Sequence, residues 1–178
     1  ERIPWSYEDI RRFLTSDIVN KNEVIATSIS LYTGMRLDEI CMLKHKHIFE
    51  DLFHIYEGKT EAARRVVPVH PVLKKIIVSN DSDNEEYILK GLVSAGYDTK
   101  RSCNFQKRHG RTRKRLNLPK GVVFHSLRNT VITKLHNNMI AIENIEKIVG
   151  HKQKSVAFGV YSGGLAVEKL REIINGIS

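Results

Sequence analysis

Five short stretches of the sequence carry arginine, lysine, histidine or tyrosine at places where a folded chain could gather them into one site. In chain order they are Thr33-Gly34-Met35-Arg36-Leu37-Asp38-Glu39, Gly58-Lys59-Thr60, His125-Ser126-Leu127-Arg128, Gly150-His151 and Val160-Tyr161-Ser162-Gly163. Taken singly, each has an ordinary explanation, such as a solvated helix start, a surface lysine, a helix end or a tyrosine that fills core space. The ordered set is more informative than any of its parts.

These side chains suit an attack on a phosphodiester. The transition state of such an attack places negative charge on the nonbridging oxygens, and guanidinium groups can hold them through forked hydrogen bonds while staying protonated. A phenol with a pKa of about 10 can act as the nucleophile and can later leave again. The sequence therefore contains the groups needed for covalent phosphoryl transfer.

Together, the five stretches resemble the active-site signature of the tyrosine recombinase (phage integrase) family, over nearly the whole chain. The resemblance implies an enzyme that cuts and rejoins DNA through a covalent bond to Tyr161. Arg36 and Arg128 would clamp the phosphate, and His151 would add a third donor. Glu39, three residues after Arg36, would orient that arginine, although a simple ion pair on a helix surface is an equally good explanation.

The resemblance also implies the two proton transfers. His125 would accept the proton of the Tyr161 hydroxyl, and Lys59 would protonate the departing 5′ oxygen of deoxyribose. The product would be a 3′-phosphotyrosine, which keeps the energy of the ester bond, so we expect neither ATP nor a metal ion nor another cofactor to be needed.

A basic segment precedes the second arginine of the signature. Between Thr99 and Lys120 there are nine Lys or Arg residues and no Asp or Glu. A less polar stripe at Phe105, His109 and Thr112 predicts a helix that docks on this side and presents its cations to double-stranded DNA, although a solvated charge run is the usual explanation of such a segment. The predicted DNA contacts are Arg64, Arg65, Lys100, Arg101, Lys107, Arg108, Arg111, Arg113, Lys114 and Arg115.

The composition agrees with a polyanionic partner. The chain of 178 residues has 29 Lys plus Arg against 20 Asp plus Glu, a formal net charge of +9. No apolar run approaches the roughly 18 residues of a membrane span, and Cys41 and Cys103 lack metal-site spacing, as in a reducing compartment. We expect residues 1–178 to form a single catalytic domain, without the amino-terminal DNA-clamping domain usual in the family, and to act on DNA in the cytoplasm of a bacterial or phage-infected cell.

The elements that must position these residues are mostly helices. Ser6, with Asp9 at the capping-box position, predicts a first helix, Gly34 ends a second, and Leu37 begins a third. Alternation between Ile48 and Val69 predicts a small antiparallel sheet with Gly58-Lys59-Thr60 at a turn. Further helices are predicted after Pro71, through Tyr87, Leu89 and Leu92, and over residues 99–116, 125–138, 141–149 and 165–175. The fold class is mainly α with a small antiparallel β-sheet, α+β.

The last predicted helix bears on assembly. Leu165, Val167, Leu170, Ile173 and Ile174 make it amphipathic. In the family such a tail often docks onto a neighbouring subunit, so self-association on DNA is expected, with packing on its own chain as the alternative.

Three other functions compete with a site-specific recombinase. A type IB topoisomerase shares the chemistry, and a DNA-binding regulator with a decayed site would keep the fold. A metal-dependent nuclease is the third, but Asp81, Asp83, Glu85 and Glu86 sit together in a predicted loop without ligand spacing.

Overall fold

The computed structural model describes residues 2–56, 64–79, 86–151 and 164–177, and their fold is mainly helical with one small sheet. A single turn of 3₁₀ helix at His45–His47 leads into the first strand. The helices and strands are α1 (Tyr7–Leu14), α2 (Lys21–Thr33), α3 (Leu37–Cys41), β1 (Ile48–Phe49), β2 (Leu52–Ile55), β3 (Arg65–Pro68), α4 (Pro71–Val78), α5 (Ser102–Arg115), α6 (Phe124–Asn137), α7 (Ile142–Val149) and α8 (Gly164–Asn175). The predicted fold class is confirmed.

Local capping explains where the first helices begin and end. The Ser6 hydroxyl accepts a hydrogen bond from the Asp9 amide at 3.1 Å, which caps α1 as predicted. Helix α2 ends at Gly34, whose φ of 63° lies in the left-handed region that glycine adopts without a Cβ penalty.

The sheet has three antiparallel strands in the order β1-β2-β3. Phe53 in the central strand lies opposite Val67, and both side chains are completely buried. The strands agree with the alternation between Ile48 and Val69, whereas the predicted turn at residues 58–60 lies outside the described residues.

Helices α2 and α6 pack at the centre of the core. Ile25 and Ile29 of α2 are buried, and so is the predicted stripe of α6 formed by Leu127, Val131 and Leu135. Arg128 follows Leu127 in α6 and is also buried, next to this stripe.

Helix α8 packs on its own chain. Leu170, Ile173, Ile174 and the following Ile177 are buried, and the helix contacts β3. This is the alternative that the sequence left open for the carboxyl-terminal tail.

The helix predicted through Tyr87, Leu89 and Leu92 is wrong. Tyr87 instead pairs with Lys44 as an isolated antiparallel bridge, and the chain turns at Gly91 with a φ of 63°. The spacing of the apolar residues indicated a helix. Ile88 and Leu89 are instead both buried at consecutive positions, which is compatible with a bridge followed by a turn.

The sequence led us to expect free cysteine thiols and no membrane-spanning segment. Cys41 and Cys103 are both free thiols. Within the described ranges, the helices are too short and too polar to cross a membrane.

An aromatic cluster docks α5 onto the amino-terminal part of the fold. The His109 ring lies 5.1 Å from that of Phe13, 5.3 Å from Phe124 and 6.1 Å from Trp5, and it is 3% exposed. Burial, followed by the charge of Arg113, lowers the pKa of His109 to about 4. The imidazole is therefore neutral in the folded protein at neutral pH.

We expect His109 to make stability fall as the pH is lowered from 6.5 to about 4. The unfolded chain binds a proton at this histidine below its ordinary pKa of 6.5 and the folded chain does not, so the loss is at most about 1.4 kcal/mol per pH unit and is complete below pH ~4. Urea unfolding of His109→Gln across this range should give a shallower slope than the wild type. Equal slopes would contradict the assignment.

We also expect Gly34→Ala to destabilise the fold more than Gly91→Ala. Both glycines have a φ of 63°, so each substitution costs roughly 1–2 kcal/mol of backbone strain. A Cβ at Gly34 would lie 2.8 Å from Val149 Cγ1, whereas one at Gly91 meets nothing within 4 Å, so the clash adds about 1–3 kcal/mol. Chemical denaturation measures both, and a Val149→Ala change should recover part of the difference. Equal costs at the two glycines would show that Val149 gives way freely.

Candidate phosphate-binding site

Three arginines from distant parts of the chain meet at the carboxyl end of α7. Helix α7 ends at Gly150, whose φ of 71° again places a glycine in the left-handed region. The last carbonyl groups of this helix each accept a hydrogen bond from a different guanidinium: Ile148 O from Arg65 Nε at 2.8 Å, Val149 O from Arg128 Nη1 at 2.5 Å, and Gly150 O from Arg36 Nη2 at 3.2 Å. The partial negative charge of a helix carboxyl end favours cations at this place.

Arg128 is a buried cation whose charge is partly balanced by the nearby carboxylate of Glu39. The residue is 3% exposed, and its Nη1 also donates to Gly34 O at 2.7 Å. Its Nη2 is buried without a hydrogen-bond partner, and within the described part of the chain Arg128 forms no ion pair. Burial, followed by the nearby charge of Arg36, lowers its pKa to about 9, so it remains protonated at neutral pH. A bound anion would compensate the positive charge that remains.

Arg36 lies immediately before α3 and is more accessible. Its side chain is 40% exposed, and its Nη1 pairs with Glu39 Oε1 at 3.0 Å. In return, Glu39 Oε2 accepts a hydrogen bond from the Arg36 backbone amide at 2.9 Å. The contact that the sequence predicted between these two residues is therefore present, and it leaves part of the Arg36 guanidinium facing the surface.

Glu39 is held from a second side by Arg65. Arg65 donates from Nη1 to Glu39 Oε1 at 3.1 Å and from Nη2 to Oε2 at 3.0 Å. Burial raises the pKa of Glu39, but the hydrogen bonds and charge of Arg65, together with the Arg36 amide, outweigh burial and lower it. Glu39 is thus an ionised, buried carboxylate between two arginines.

The expectation that Arg65 is a surface contact for DNA is corrected by this position. Only 7% of its side chain is exposed, and its guanidinium faces Glu39 and α7. Arg65 is therefore part of the interior of the site. Arg64, its neighbour, is exposed.

The two histidines of the signature lie close to the arginines. Partial burial, then the charges of Arg2, Arg128 and Arg36, lowers the pKa of His125, and partial burial with Arg128 and Arg36 lowers that of His151. Both rings are consequently neutral at neutral pH and still reach the protein surface. A neutral imidazole can accept a proton or donate one N–H, as a phosphate site requires.

A cavity of about 370 Å³ joins three of these groups. Arg36, His125 and Arg128 line it, and so do Arg2 and Arg113. Arg2 was missed by the sequence prediction, because an arginine near the start of a chain gives no signal until its neighbours in space are known. His151 follows the cap of α7, outside the lining of this cavity, and Lys59 and Tyr161 lie outside the described residues.

Helix α5 forms one wall of the cavity and presents cations to solvent. Its less polar side is buried at Phe105, His109 and Thr112, as predicted. The basic side chains that are exposed on this helix are Lys107, Arg108, Arg111, Lys114 and Arg115, while Arg113 is half-buried at the cavity. Arg108 also donates to the buried Glu23 at 3.1 Å.

Two predicted DNA contacts just before α5 are used within the protein. Arg101 donates to Cys41 O at 3.0 Å and to Leu89 O at 3.2 Å, and it lies 3.6 Å above the Tyr87 ring. The prediction for Arg101 is therefore corrected. Lys100 is half-buried and pairs with Asp38 and Asp98.

The described residues contain no cluster of three or more His, Cys, Asp or Glu side chains that could bind a metal ion. The groups that do converge are three arginines, two neutral imidazoles and the Glu39 carboxylate, and their net positive charge suits an anion.

Similar proteins share both sequence and fold with this chain. An integrase of Staphylococcus phage L54a is 25% identical over 166 residues, which cover 77% of this chain and 46% of that protein. The chain thus spans about half the length of this curated relative.

Solved structures of recombinases and integrases have the same fold at lower identity. An integrase from mycobacterium phage Brujita matches with a TM-score of 0.72 at 15% identity, covering 100% of this chain and 58% of that one. A lambda integrase (75–356) dimer bound to a COC′ core site matches with a TM-score of 0.68 at 17% identity, covering 90% and 62%. XerA recombinase matches with a TM-score of 0.65 at 18% identity, covering 99% and 59%.

The family model described as "Phage integrase family" matches residues 7–163, a span that contains all five signature stretches and also Arg65. On this match over most of its length, the chain belongs to the phage integrase family.

Proposed function

We propose that this chain is the catalytic part of a site-specific DNA recombinase that cuts and rejoins strands through a 3′-phosphotyrosine. The observation that carries the proposal is the buried guanidinium of Arg128, whose Nη2 is unpartnered and which shares a cavity with Arg36 and His125. Keeping such a charge buried costs free energy, and a phosphate oxygen would satisfy it.

The electrostatics support this choice of ligand. Arg36, Arg65 and Arg128 lie around one carboxylate, that of Glu39, so the described part of the site has an excess of positive charge. A phosphodiester gains negative charge on its nonbridging oxygens during in-line attack, and cations already in place stabilise that charge without reorganisation.

The nucleophile in this proposal is the phenolic oxygen of Tyr161. Its oxygen forms a bond to phosphorus while the bond to the 5′ oxygen of deoxyribose breaks. His125 accepts the phenolic proton, and its lowered pKa keeps it neutral for this task at neutral pH. Lys59 supplies a proton to the leaving 5′ oxygen.

Rejoining follows the same path in reverse. A 5′ hydroxyl attacks the phosphotyrosine, Tyr161 leaves, and its oxygen regains the proton. Because the ester bond energy is conserved in the covalent intermediate, the cycle consumes no ATP, and the cations of the site take the place of a metal ion.

The proposed partner is double-stranded DNA, held along α5 by its exposed cations. We also propose self-association on DNA through the carboxyl-terminal helix. Leu170, Ile173 and Ile174 are buried on the same chain, so this assembly requires α8 to exchange an internal contact for an equivalent one on a neighbour. The lambda integrase that shares the fold was crystallised as a dimer on its core site.

Replacing Tyr161 with Phe is expected to abolish covalent attachment to DNA while leaving the affinity for DNA within about threefold, since only the attacking oxygen is lost. The measurement is a denaturing gel after incubation with a nicked substrate that traps the cleaved strand. Tyr97→Phe is the matched control, because Tyr97 is fully exposed and outside the cavity lining, and it should form the adduct normally. An adduct in the Tyr161 variant would identify a different nucleophile.

Reversing the charges of Arg111 and Arg115 to Glu is expected to weaken binding to all DNA sequences alike. Each lost phosphate contact lowers the slope of log K against log salt by about 0.9, so the double variant should lose roughly 2 from that slope. The control is Arg11→Glu with Lys75→Glu, which changes the net charge equally on exposed faces of α1 and α4. A slope that changes as much in the control would remove α5 from the interface.

A further inference from the structure

Arg65 occupies a central place in the site that the five signature stretches do not account for. It is the first residue of β3, and its side chain is 7% exposed. Two of its nitrogens bind the two oxygens of Glu39, and its Nε binds Ile148 O at 2.8 Å. One side chain thus links the sheet to α3 and to the carboxyl end of α7.

Gly150 shows how closely Arg65 packs against the turn that carries His151. A Cβ at Gly150 would lie 2.6 Å from Arg65 Nη1 and 2.8 Å from its Cζ. Glycine is therefore required there for two independent reasons, the φ of 71° and the guanidinium lying on the turn. The glycine of the Gly-His pair thus packs against an arginine 85 positions earlier in the chain.

Arg65 also changes the charge that Arg36 can offer. If Arg36 were its partner without Arg65, the Glu39 carboxylate would offset the positive charge of Arg36. The attraction of Arg36 for a phosphate would then fall. The forked pair between Arg65 and Glu39 supplies the counter charge instead. Glu39 can then hold Arg36 in place, through Nη1 and the backbone amide, while Arg36 keeps net positive charge for an anion.

We propose that Arg65 is a positioning residue of the phosphoryl-transfer site, which fixes Glu39 and the Gly150 turn and thereby holds Arg36 and His151 in their working places. The inference rests on the proposed function. It predicts that Arg65 acts on the chemical step through other residues and contributes little to DNA affinity.

The test compares Arg65→Met and Arg65→Lys with a matched Arg11→Met control, since Arg11 is an exposed arginine of α1 that does not line the cavity. We expect both Arg65 variants to bind DNA within about threefold of the wild type. The single-turnover rate of adduct formation should fall at least about tenfold in Arg65→Met, equivalent to about 1.4 kcal/mol. Arg65→Lys, which keeps the charge but not the fork, should recover part of that loss, and Arg11→Met should match the wild type.

A double-variant cycle separates positioning from general stability. In an Arg36→Lys background, the forked contacts of Arg36 are already gone, so Arg65→Met should slow adduct formation by less than about twofold. Equal fold losses in the two backgrounds would mean that Arg65 only stabilises the fold, and would overturn the proposal. If Arg65→Met does not fold, the same comparison is made with Arg65→Lys.

The remaining outcomes distinguish this proposal from the proposed function. Wild-type adduct with an unchanged rate in Arg65→Met overturns the role of Arg65 alone. A loss of DNA affinity that accounts for the whole loss of rate makes Arg65 a DNA contact and also overturns it. A wild type that binds nicked DNA but never forms an adduct overturns the proposed function, and the role of Arg65 with it.

Discussion

The site depends on one interaction, the capture of three guanidinium groups by the carboxyl end of a single short helix. A helix ends with carbonyl groups that have no partner inside the helix. In this chain the carbonyls at the end of α7 accept hydrogen bonds from Arg36, Arg65 and Arg128, which come from three different elements. Because a helix end carries only partial negative charge, it orients the arginines without neutralising them. Carboxylates in the same places would have oriented them equally well and cancelled their charge.

The second constraint is that these arginines have different partners. Glu39 is the carboxylate that pairs with two of them, and its lowered pKa reflects that both hydrogen bonds and charge outweigh its burial. Among the described residues, Arg128 by contrast donates its hydrogen bonds to carbonyl groups, and its buried Nη2 has no partner. The buried donor that an anion would satisfy therefore belongs to Arg128, next to the more exposed Arg36. This arrangement is preorganised for a developing negative charge, which is the condition for electrostatic catalysis.

Much of this architecture follows from local signals in the sequence. Ser6 and Gly34 mark helix ends through capping and a left-handed glycine, and the spacing of Leu127, Val131 and Leu135 identifies the buried face of α6. These predictions succeed because each depends on neighbours within one or two turns. The signature also predicted that Arg36, His125 and Arg128, far apart in the chain, lie near one another, and the three line one cavity.

Predictions failed where partners distant in sequence decide the outcome. Charge alone made Arg65 and Arg101 resemble surface cations, although Glu39 and the carbonyls of Cys41 and Leu89 draw them inward. The segment around Leu89 has helical spacing, yet pairing of Tyr87 with Lys44 takes precedence. The contribution of Arg2 to the cavity depends on the tertiary fold, because no local pattern marks it. Long-range hydrogen bonds leave no periodicity for sequence reasoning to detect.

The brevity of α7 makes the site a single cooperative unit. The helix has eight residues and is anchored by the buried side chains of Ile145, Ile148 and Val149. Native proteins open segment by segment, and amide hydrogen exchange reports each such opening. One transient opening of α7 would break one hydrogen bond of each of the three arginines at the same time, so the intact site depends on the local unfolding free energy of two helical turns. Any contact that clamps this helix, from the protein itself or from a bound strand, therefore acts on every cation at once.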